Sequence, residues 1–210
     1  MSGSDDAVQR VANTQTPPGA PSGERGPSTE EEIRAAWVEG YTPPSGQAII
    51  ISDYDPEWPR LYEREAARIR AALGDRVVLL EHVGSTSVPG LAAKPRIDML
   101  LIVPDSADET AYVPSLLTAG YVLAIRESDW YEHRCFKGPD TDINLHVFSP
   151  GCPEIGRMLG FRDWLRTHPD DRQLYEQTKR DLAKKDWKYV QNYADAKTAV
   201  VEQIIARART

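Results

Sequence analysis

Apolar residues repeat at helical spacing in several parts of this chain. Over residues 57–73 they recur at helical spacing, with a proline in the opening turn and Gly74 directly after the last apolar position, which predicts a helix that ends there. A capping box at Ser28-Thr29-Glu30-Glu31-Glu32 predicts a short helix that runs through Trp37 and stops at Gly40. Further helices are predicted over residues 108–118, 154–167, 170–185 and 189–207.

Shorter apolar runs predict strands between these helices. The run from Ile97 to Val103 is nearly continuous in apolar residues, so we expect a strand that is buried on both faces. Residues 130–137 and 142–148 predict two strands joined at Gly138-Pro139-Asp140, which is a hairpin signal. Other strands are predicted over 48–52, 76–83 and 121–126. The predicted fold class is therefore α+β, a small mixed sheet with helices packed on it and a helical C-terminal part.

The N-terminal residues follow neither period. Residues 1–27 are rich in Ser, Gly, Pro, Asp, Thr and Gln, which predicts a disordered tail. Residues 28–47 predict the short helix followed by a linker, and residues 48–207 predict the folded domain. A length of 210 residues suits one domain with appendages.

Composition and charge narrow the classes of partner. A formal net charge of −7 and a pI near 5.2 argue against a sequence-independent nucleic-acid binder, which needs a basic stripe. No apolar run has the length of a membrane span and no signal-peptide pattern opens the chain, so we expect a cytoplasmic protein without a membrane partner. The two cysteines, Cys135 and Cys152, lie in unlike settings and predict neither a disulfide framework nor a zinc site. A small molecule is the expected partner, and the oligomeric state is left open.

A turn of small hydroxylated residues follows the predicted strand over 76–83. Gly84 lets the backbone approach a ligand closely, and Ser85 and Thr86 supply N–H groups and hydroxyls that suit phosphate oxygens. The alternative is a plain strand-to-loop turn, in which the hydroxyls cap local backbone groups.

Asp98 is a lone carboxylate in the apolar run that begins at Ile97. Burial without a partner would cost it on the order of several kcal/mol, so it needs a cation, a metal or several N–H donors. A structural role, with hydrogen bonds from the loop over 88–91, is the alternative to a metal ligand or catalytic carboxylate. Lys94 lies just ahead of the strand, where it is either a solvated loop lysine or a cation for phosphate or Asp98.

A second polar cluster lies in the predicted strand over 142–148. Its period-2 alternation places Asp142, Asn144 and His146 on one face. This face is either the solvated side of the sheet or, if it is shared with Asp98, part of a site in which His146 acts as a base or a metal ligand. Arg162 lies between large apolar residues, unlike its neighbouring arginines, and is a candidate to neutralise phosphate or an acidic substrate.

Several motifs in order resemble one known family. The chain from about Ile50 to Ala206 resembles the GrpB family, which is assigned to the nucleotidyltransferase superfamily. The matching motifs are Tyr54-Asp55-Pro56-Glu57-Trp58-Pro59, His82-Val83-Gly84-Ser85-Thr86-Ser87-Val88-Pro89-Gly90-Leu91, Lys94-Pro95 with Ile97-Asp98, Leu145-His146-Val147-Phe148 and Phe161-Arg162-Asp163-Trp164-Leu165-Arg166.

The resemblance implies a nucleotidyltransferase-like mixed sheet, a Gly-Ser turn that takes nucleotide phosphates, and strand carboxylates that bind divalent metal. A metal-bound triphosphate is then attacked in line by an acceptor. This sequence departs from that pattern. The superfamily usually has a second carboxylate two residues after the first, where Leu100 stands, and a third on a later strand, where Asn144 or His146 stands.

These departures leave three alternatives for the metal. One ion is bound through Asp98 and His146, or Asp142 or Glu132 substitutes for a missing carboxylate, or the site no longer transfers nucleotides. In the family pattern Arg96 and Met99 also stand where aliphatic residues are expected.

The leading hypothesis is an enzyme of nucleotidyltransferase type that acts on a small molecule with Mg²⁺ and ATP or another nucleoside triphosphate. Phosphate is expected at the Gly84 turn with Lys94 and Arg162, and catalysis and metal binding at Asp98 and His146. A first alternative is a repurposed fold that performs acid–base or ligase-like chemistry without nucleotidyl transfer. A second is a non-catalytic nucleotide-binding or protein-folding accessory module, as GrpB-like domains fused to a dephospho-coenzyme A kinase domain suggest.

Overall fold

The structure is a computed structural model that describes residues 27–43 and 48–209. The tail predicted over 1–27 therefore lies almost entirely outside the described residues, as do residues 44–47 of the predicted linker.

The described residues form one mixed sheet of five strands. The strands are β1 (Leu79–Val83), β2 (Ile97–Ile102), β3 (Val122–Glu127), β4 (His133–Lys137) and β5 (Ile143–Phe148). Their order in the sheet is β1-β2-β5-β4-β3. The β2–β5 pair is parallel, and the β1–β2, β4–β5 and β3–β4 pairs are antiparallel. The β4–β5 hairpin predicted at Gly138-Pro139-Asp140 is confirmed, and so is the α+β fold class.

Helices cover both faces of the sheet. In chain order they are α1 (Glu30–Ala35), α2 (Glu57–Leu73), α3 (Val113–Thr118), α4 (Pro153–Thr167), α5 (Pro169–Ala183), α6 (Val190–Ala196) and α7 (Thr198–Ala208). None of the helices in the described part of the chain has the length and apolar content that a membrane crossing requires.

The alternation of side chains along each strand decides which helix covers which face. Met99 and Leu101 of β2 and Leu145 of β5 point to the face packed by α2 and α3. Leu100, Ile102 and Phe148 point the other way, into a cluster with Cys152, Ile155 and Leu159 around the start of α4. Asp98, Asn144 and His146 lie on this second face and stay partly exposed.

The prediction of a strand over 48–52 is wrong. This segment forms a single antiparallel bridge, Ser52 to Ala93, and its Ile50 is 65% exposed. An apolar run of this length forms a strand only where a partner strand lies beside it, and within the described residues this segment pairs only with Ala93.

Several predicted element ends shift for local reasons. The first helix ends at Ala35 rather than at Trp37, because Trp37 bridges to Ile125 and the Val38 N–H donates to the Ala124 carbonyl. In the helix predicted over 108–118, Pro114 stands in the first turn of the short α3 and a 3₁₀ turn precedes it. The helix over 57–73 is confirmed.

Candidate functional site

The predicted phosphate turn and the strand carboxylate lie against each other. Val83 pairs with Asp98 across the antiparallel β1–β2 ladder, so the chain that leaves β1 at Gly84 passes the Asp98 side chain. Gly84 has φ 69° and ψ −173°, a backbone region that is essentially restricted to glycine. A Cβ built on Gly84 would lie 2.5 Å from Asp98 Oδ2. No side chain therefore fits between the turn and this carboxylate.

Two of the turn hydroxyls are engaged within the turn and its surroundings. Ser87 Oγ donates to the Gly84 carbonyl at 2.6 Å. The buried Thr86 hydroxyl donates to the Arg96 carbonyl at 3.2 Å, so it accepts from His82 Nε2 at 3.0 Å. These two hydroxyls follow the capping interpretation, and Thr86 serves to hold the turn to the start of β2.

Ser85 differs from its neighbours in the turn. It is partly exposed, and its hydroxyl has no hydrogen-bond partner among the residues that the structure describes. The backbone N–H groups of Ser87 and Val88 are used by the carbonyls of Gly84 and Ser85. The Ser85 hydroxyl is thus the polar side-chain group of this turn that remains available to a ligand.

Two arginines of α4 bond the backbone just before the turn and at its end. Arg162 Nη1 donates to Glu81 Oε2 at 2.8 Å and to the His82 carbonyl at 3.0 Å. Arg166 donates to the Ser87 carbonyl through Nε at 3.2 Å and Nη2 at 2.9 Å. The other nitrogens of Arg162 bond a carboxylate of the same helix. Arg162 is buried, as its apolar neighbours indicate, but its N–H groups are occupied by protein acceptors.

A chain of polar groups orients Asp98. Asn144 pairs with Asp98 in the parallel β2–β5 ladder and donates its Nδ2 to Asp98 Oδ1 at 2.7 Å. Lys137 Nζ donates to Asn144 Oδ1, and this bond fixes which end of the amide faces Asp98. Asp98 Oδ2 accepts no hydrogen bond within residues 27–43 and 48–209, and the loop over 88–91 donates none to this side chain there. One carboxylate oxygen remains open beside the turn.

Lys94 brings a second positive charge to this face. Arg96 Nε donates to Asp142 Oδ1 at 2.7 Å, which occupies that carboxylate. Lys94 has no ion pair among the described residues, and its side chain is partly buried. Burial and then the positive charge of Arg96 lower the pKa of Lys94 to about 8, and Asp98 opposes that effect. A partly buried ammonium without a counter-ion suits an anionic ligand.

His146 lies on the same face, two residues beyond Asn144 on β5. Its Nδ1 is 3.0 Å from His133 Nε2, and His133 Nδ1 is 2.7 Å from Glu127 Oε2. Burial, followed by the influence of His133, lowers the pKa of His146 to about 4. The imidazole of His146 is therefore neutral at neutral pH.

The acidic side chains do not fit a two-metal site. In the described part of the chain, no three His, Cys, Asp or Glu side chains are grouped so that they could hold a metal ion. Asp142 is paired with Arg96, and Glu132 bonds Arg134, whose side chain lies on the other face of the sheet. The open Oδ2 of Asp98 fits one Mg²⁺, because this ion is commonly held by one or two carboxylates together with substrate phosphates.

Sequence reasoning missed Lys137 and Glu127. The signal for Lys137 was present: once the β4–β5 hairpin is registered on Cys135 and His146, Lys137 falls opposite Asn144. Glu127 needs the β3–β4 register, which includes an irregularity between Leu123 and Ile125 and cannot be counted from the sequence.

The family follows from comparison with known proteins. Residues 48–207 match the family model described as GrpB protein. The chain belongs to the GrpB family. A UPF0157 protein of Halalkalibacterium halodurans is 57% identical over 192 residues, which cover 91% of this chain and 98% of the relative. A UPF0157 protein of Streptomyces coelicolor is 44% identical over 171 residues, with 81% and 90% coverage.

A solved structure and a larger enzyme are also similar to this chain. The crystal structure of the conserved protein GrpB from Enterococcus faecalis matches with a TM-score of 0.68 and 32% identity, covering 76% of this GrpB-family chain and 96% of that chain. A dephospho-CoA kinase of Mycolicibacterium paratuberculosis is 32% identical over 152 residues, which are 60% of this chain and 37% of the kinase.

Proposed function

We propose that this chain is a nucleotidyltransferase-like enzyme that binds the phosphates of a nucleoside triphosphate beside the Gly84 turn and transfers a nucleotidyl group to a small molecule. The observation that carries the proposal is the contact between Gly84 and the open oxygen of Asp98. The missing side chain lets Asp98 Oδ2 lie against the turn, so a cation bound by this oxygen is held beside the turn, where a phosphate can share it.

Each residue of the site has a separate task in this proposal. The Ser85 hydroxyl donates to a phosphate oxygen, and Lys94 neutralises part of the phosphate charge. The bond from Asn144 keeps Asp98 Oδ1 occupied and turns Oδ2 towards the turn. Arg162 acts behind the turn, where it holds the His82 carbonyl. His146 is assigned to proton transfer.

Magnesium has a limited role here. Bound jointly by Asp98 and the phosphates, the ion would neutralise charge on the phosphoryl group that is transferred. Lys94 and Lys137 supply positive charge at the same face, where many two-metal sites have further carboxylates and a second ion. Positive charges placed locally in this way allow a chain with a net charge of −7 to bind an anion.

A second candidate is acid–base chemistry on a small metabolite without nucleotidyl transfer. The hydrogen-bonded series Glu127, His133 and His146 favours it, because the series needs neither metal nor nucleotide. Under this candidate, EDTA leaves ligand binding and turnover unchanged.

The first experiment is calorimetry of the full chain with the four common nucleoside triphosphates, in Mg²⁺ and in EDTA. We expect Lys94→Gln to weaken binding about 10- to 100-fold, as expected for loss of a charge-assisted bond. The matched control Lys185→Gln, at an exposed lysine, should leave the affinity unchanged. Asp98→Asn should abolish the difference between Mg²⁺ and EDTA. A folded chain that binds none of the triphosphates refutes the proposal.

A further inference from the structure

The contact between His133 and His146 has the geometry of an in-plane hydrogen bond. The two ring planes differ by only 18°, and the ring centroids are 5.2 Å apart while the bonded nitrogens are 3.0 Å apart. These values together mean that the rings meet edge to edge. The lone pair of one nitrogen therefore points at the N–H of the other, as a strong N–H···N bond requires.

His133 is held in this position by its surroundings. The side chain is only about 5% exposed. Its ring stacks on Phe148 with centroids 4.8 Å apart, and the Trp130 ring meets it edge-on at 5.4 Å. A ring confined in this way cannot rotate to exchange its two nitrogens without disturbing the apolar cluster next to β5.

The carboxylate of Glu127 sets the direction of the whole series. An ionised carboxylate only accepts, so His133 Nδ1 must carry the proton that faces Glu127. In the form of His133 that carries only this proton, Nε2 has a lone pair, and His146 Nδ1 donates to it. The proton of His146 is thereby fixed on Nδ1, and its Nε2 keeps a free lone pair.

That lone pair is directed away from His133. Nε2 of His146 has no hydrogen-bond partner in the part of the chain that the structure describes, and β5 lies between β4 and β2 in the sheet. We propose that Glu127 and His133 are positioning residues that fix His146 as the proton acceptor for the second substrate, whose nucleophile is a hydroxyl or an amine.

The reaction part of this inference rests on the proposed nucleotidyl transfer. The acceptor oxygen or nitrogen forms a bond to the α-phosphorus, and pyrophosphate leaves with the electron pair of the broken P–O bond. The proton of the acceptor moves to His146 Nε2 and then to solvent. A carboxylate or phosphate acceptor has no proton to lose and needs no such base, so the arrangement favours alcohols and amines.

The test reads the tautomer directly and does not require activity. In full-length chain labelled with ¹⁵N-histidine, long-range ¹H–¹⁵N spectra report which ring nitrogen is protonated. We expect wild-type His146 to be protonated on Nδ1. Glu127→Gln keeps the shape of the side chain but introduces an amide donor. We therefore expect the proton of His133 to move from Nδ1 to Nε2 and the proton of His146 to move to Nε2. A change of tautomer of this kind occurs when an amide replaces the carboxylate of a serine protease triad.

A second variant covers the event that Glu127→Gln disturbs folding. His133→Phe preserves an aromatic ring against Phe148 and removes the bond, so we expect His146 to populate both tautomers. His168→Phe is the control, because His168 stacks on Trp164 away from this series. Wild-type His146 protonated on Nε2, or an unchanged tautomer in both variants, overturns the inference.

Kinetics separates this inference from the proposed function. Where nucleotidyl transfer is detected, we expect His133→Phe to lower kcat about 10- to 100-fold with an unchanged KM for the triphosphate. A chain that binds no triphosphate but shows the expected tautomers refutes the nucleotidyl transfer and leaves the positioning role standing.

Discussion

Replacing Gly84 by alanine tests the contact on which the candidate site depends. Alanine at φ 69° and ψ −173° is strained by about 1–3 kcal/mol. Its Cβ would also lie 2.5 Å from Asp98 Oδ2, so the carboxylate must move and the bond from Asn144 is lost. A hydrogen bond to a charged group contributes about 1.5–3 kcal/mol. Together these effects predict a loss of about 3–5 kcal/mol in the free energy of unfolding.

Gly90→Ala is the matched control for this substitution. Gly90 lies in the loop that follows the same turn, has φ 77°, and a Cβ there would meet nothing within 4 Å. We therefore expect Gly90→Ala to cost only the backbone strain, about 1–2 kcal/mol. Urea unfolding followed by circular dichroism measures both values, provided that the denaturant slope is unchanged.

A double-mutant cycle separates the two parts of the cost. In an Asp98→Ala background no carboxylate opposes the new Cβ, and only the Cβ of residue 98 remains, at 3.0 Å, so Gly84→Ala should cost less than it does in the wild type. The expected coupling between positions 84 and 98 is about 2 kcal/mol. If Gly84→Ala costs no more than Gly90→Ala in the wild type, or if the cost is undiminished without Asp98, the contact does not exist as described.

Three further predictions concern buried charges. Arg162→Met leaves Glu81 without its ion-pair partner, so we expect the free energy of unfolding in urea to fall by about 3–5 kcal/mol. Arg60→Met, at an exposed ion pair, should cost less than about 1 kcal/mol. Equal costs would contradict the conclusion that Arg162 holds the turn. Burial lowers the pKa of His82 to about 4, so the unfolded chain binds a proton before the folded chain does as the pH falls below 6.5. The free energy of unfolding of the wild type should therefore fall by about 3 kcal/mol between pH 6.5 and 4, relative to His82→Gln. Parallel pH profiles of the two proteins would refute this. Burial also lowers the pKa of Lys179 to about 7, so above this pH the folded chain has lost a proton that the unfolded chain still holds. The stability of the wild type should therefore rise between pH 7 and about 10 relative to Lys179→Met. A fall in stability over this range would show that the buried amine is not neutral.

Part of the site could be predicted because local patterns specify it. The apolar run of β2 isolates Asp98, and period-2 alternation places Asn144 and His146 on one face of β5. The parallel β2–β5 pairing then brings Asp98 and Asn144 side by side. The strand predicted over 76–83 ends directly before Gly84, so the sequence also predicts that the turn lies at a strand end.

The rest of the site depends on contacts between distant segments. Lys137 contributes through the β4–β5 register, and Glu127 through a β3–β4 ladder whose register shifts. The task of Arg162 depends on where α4 docks against β1, and its apolar neighbours in sequence indicate burial but not the acceptors that it meets. The apolar content of residues 48–52 also does not indicate that this segment lacks a partner strand.

The hydrogen bonds from α4 to the Gly84 turn have a consequence for the order in which the chain folds. Arg162 and Arg166 bond carbonyls that lie 80 and 79 positions earlier in the sequence. The five strands of the described residues are complete by Phe148, before α4 begins at Pro153. Closing a loop of this length costs chain entropy before the contact stabilises the fold, so such contacts are slow to form. The sheet can therefore form while the turn is still unfinished, and the turn takes its final shape only when the C-terminal helices have docked.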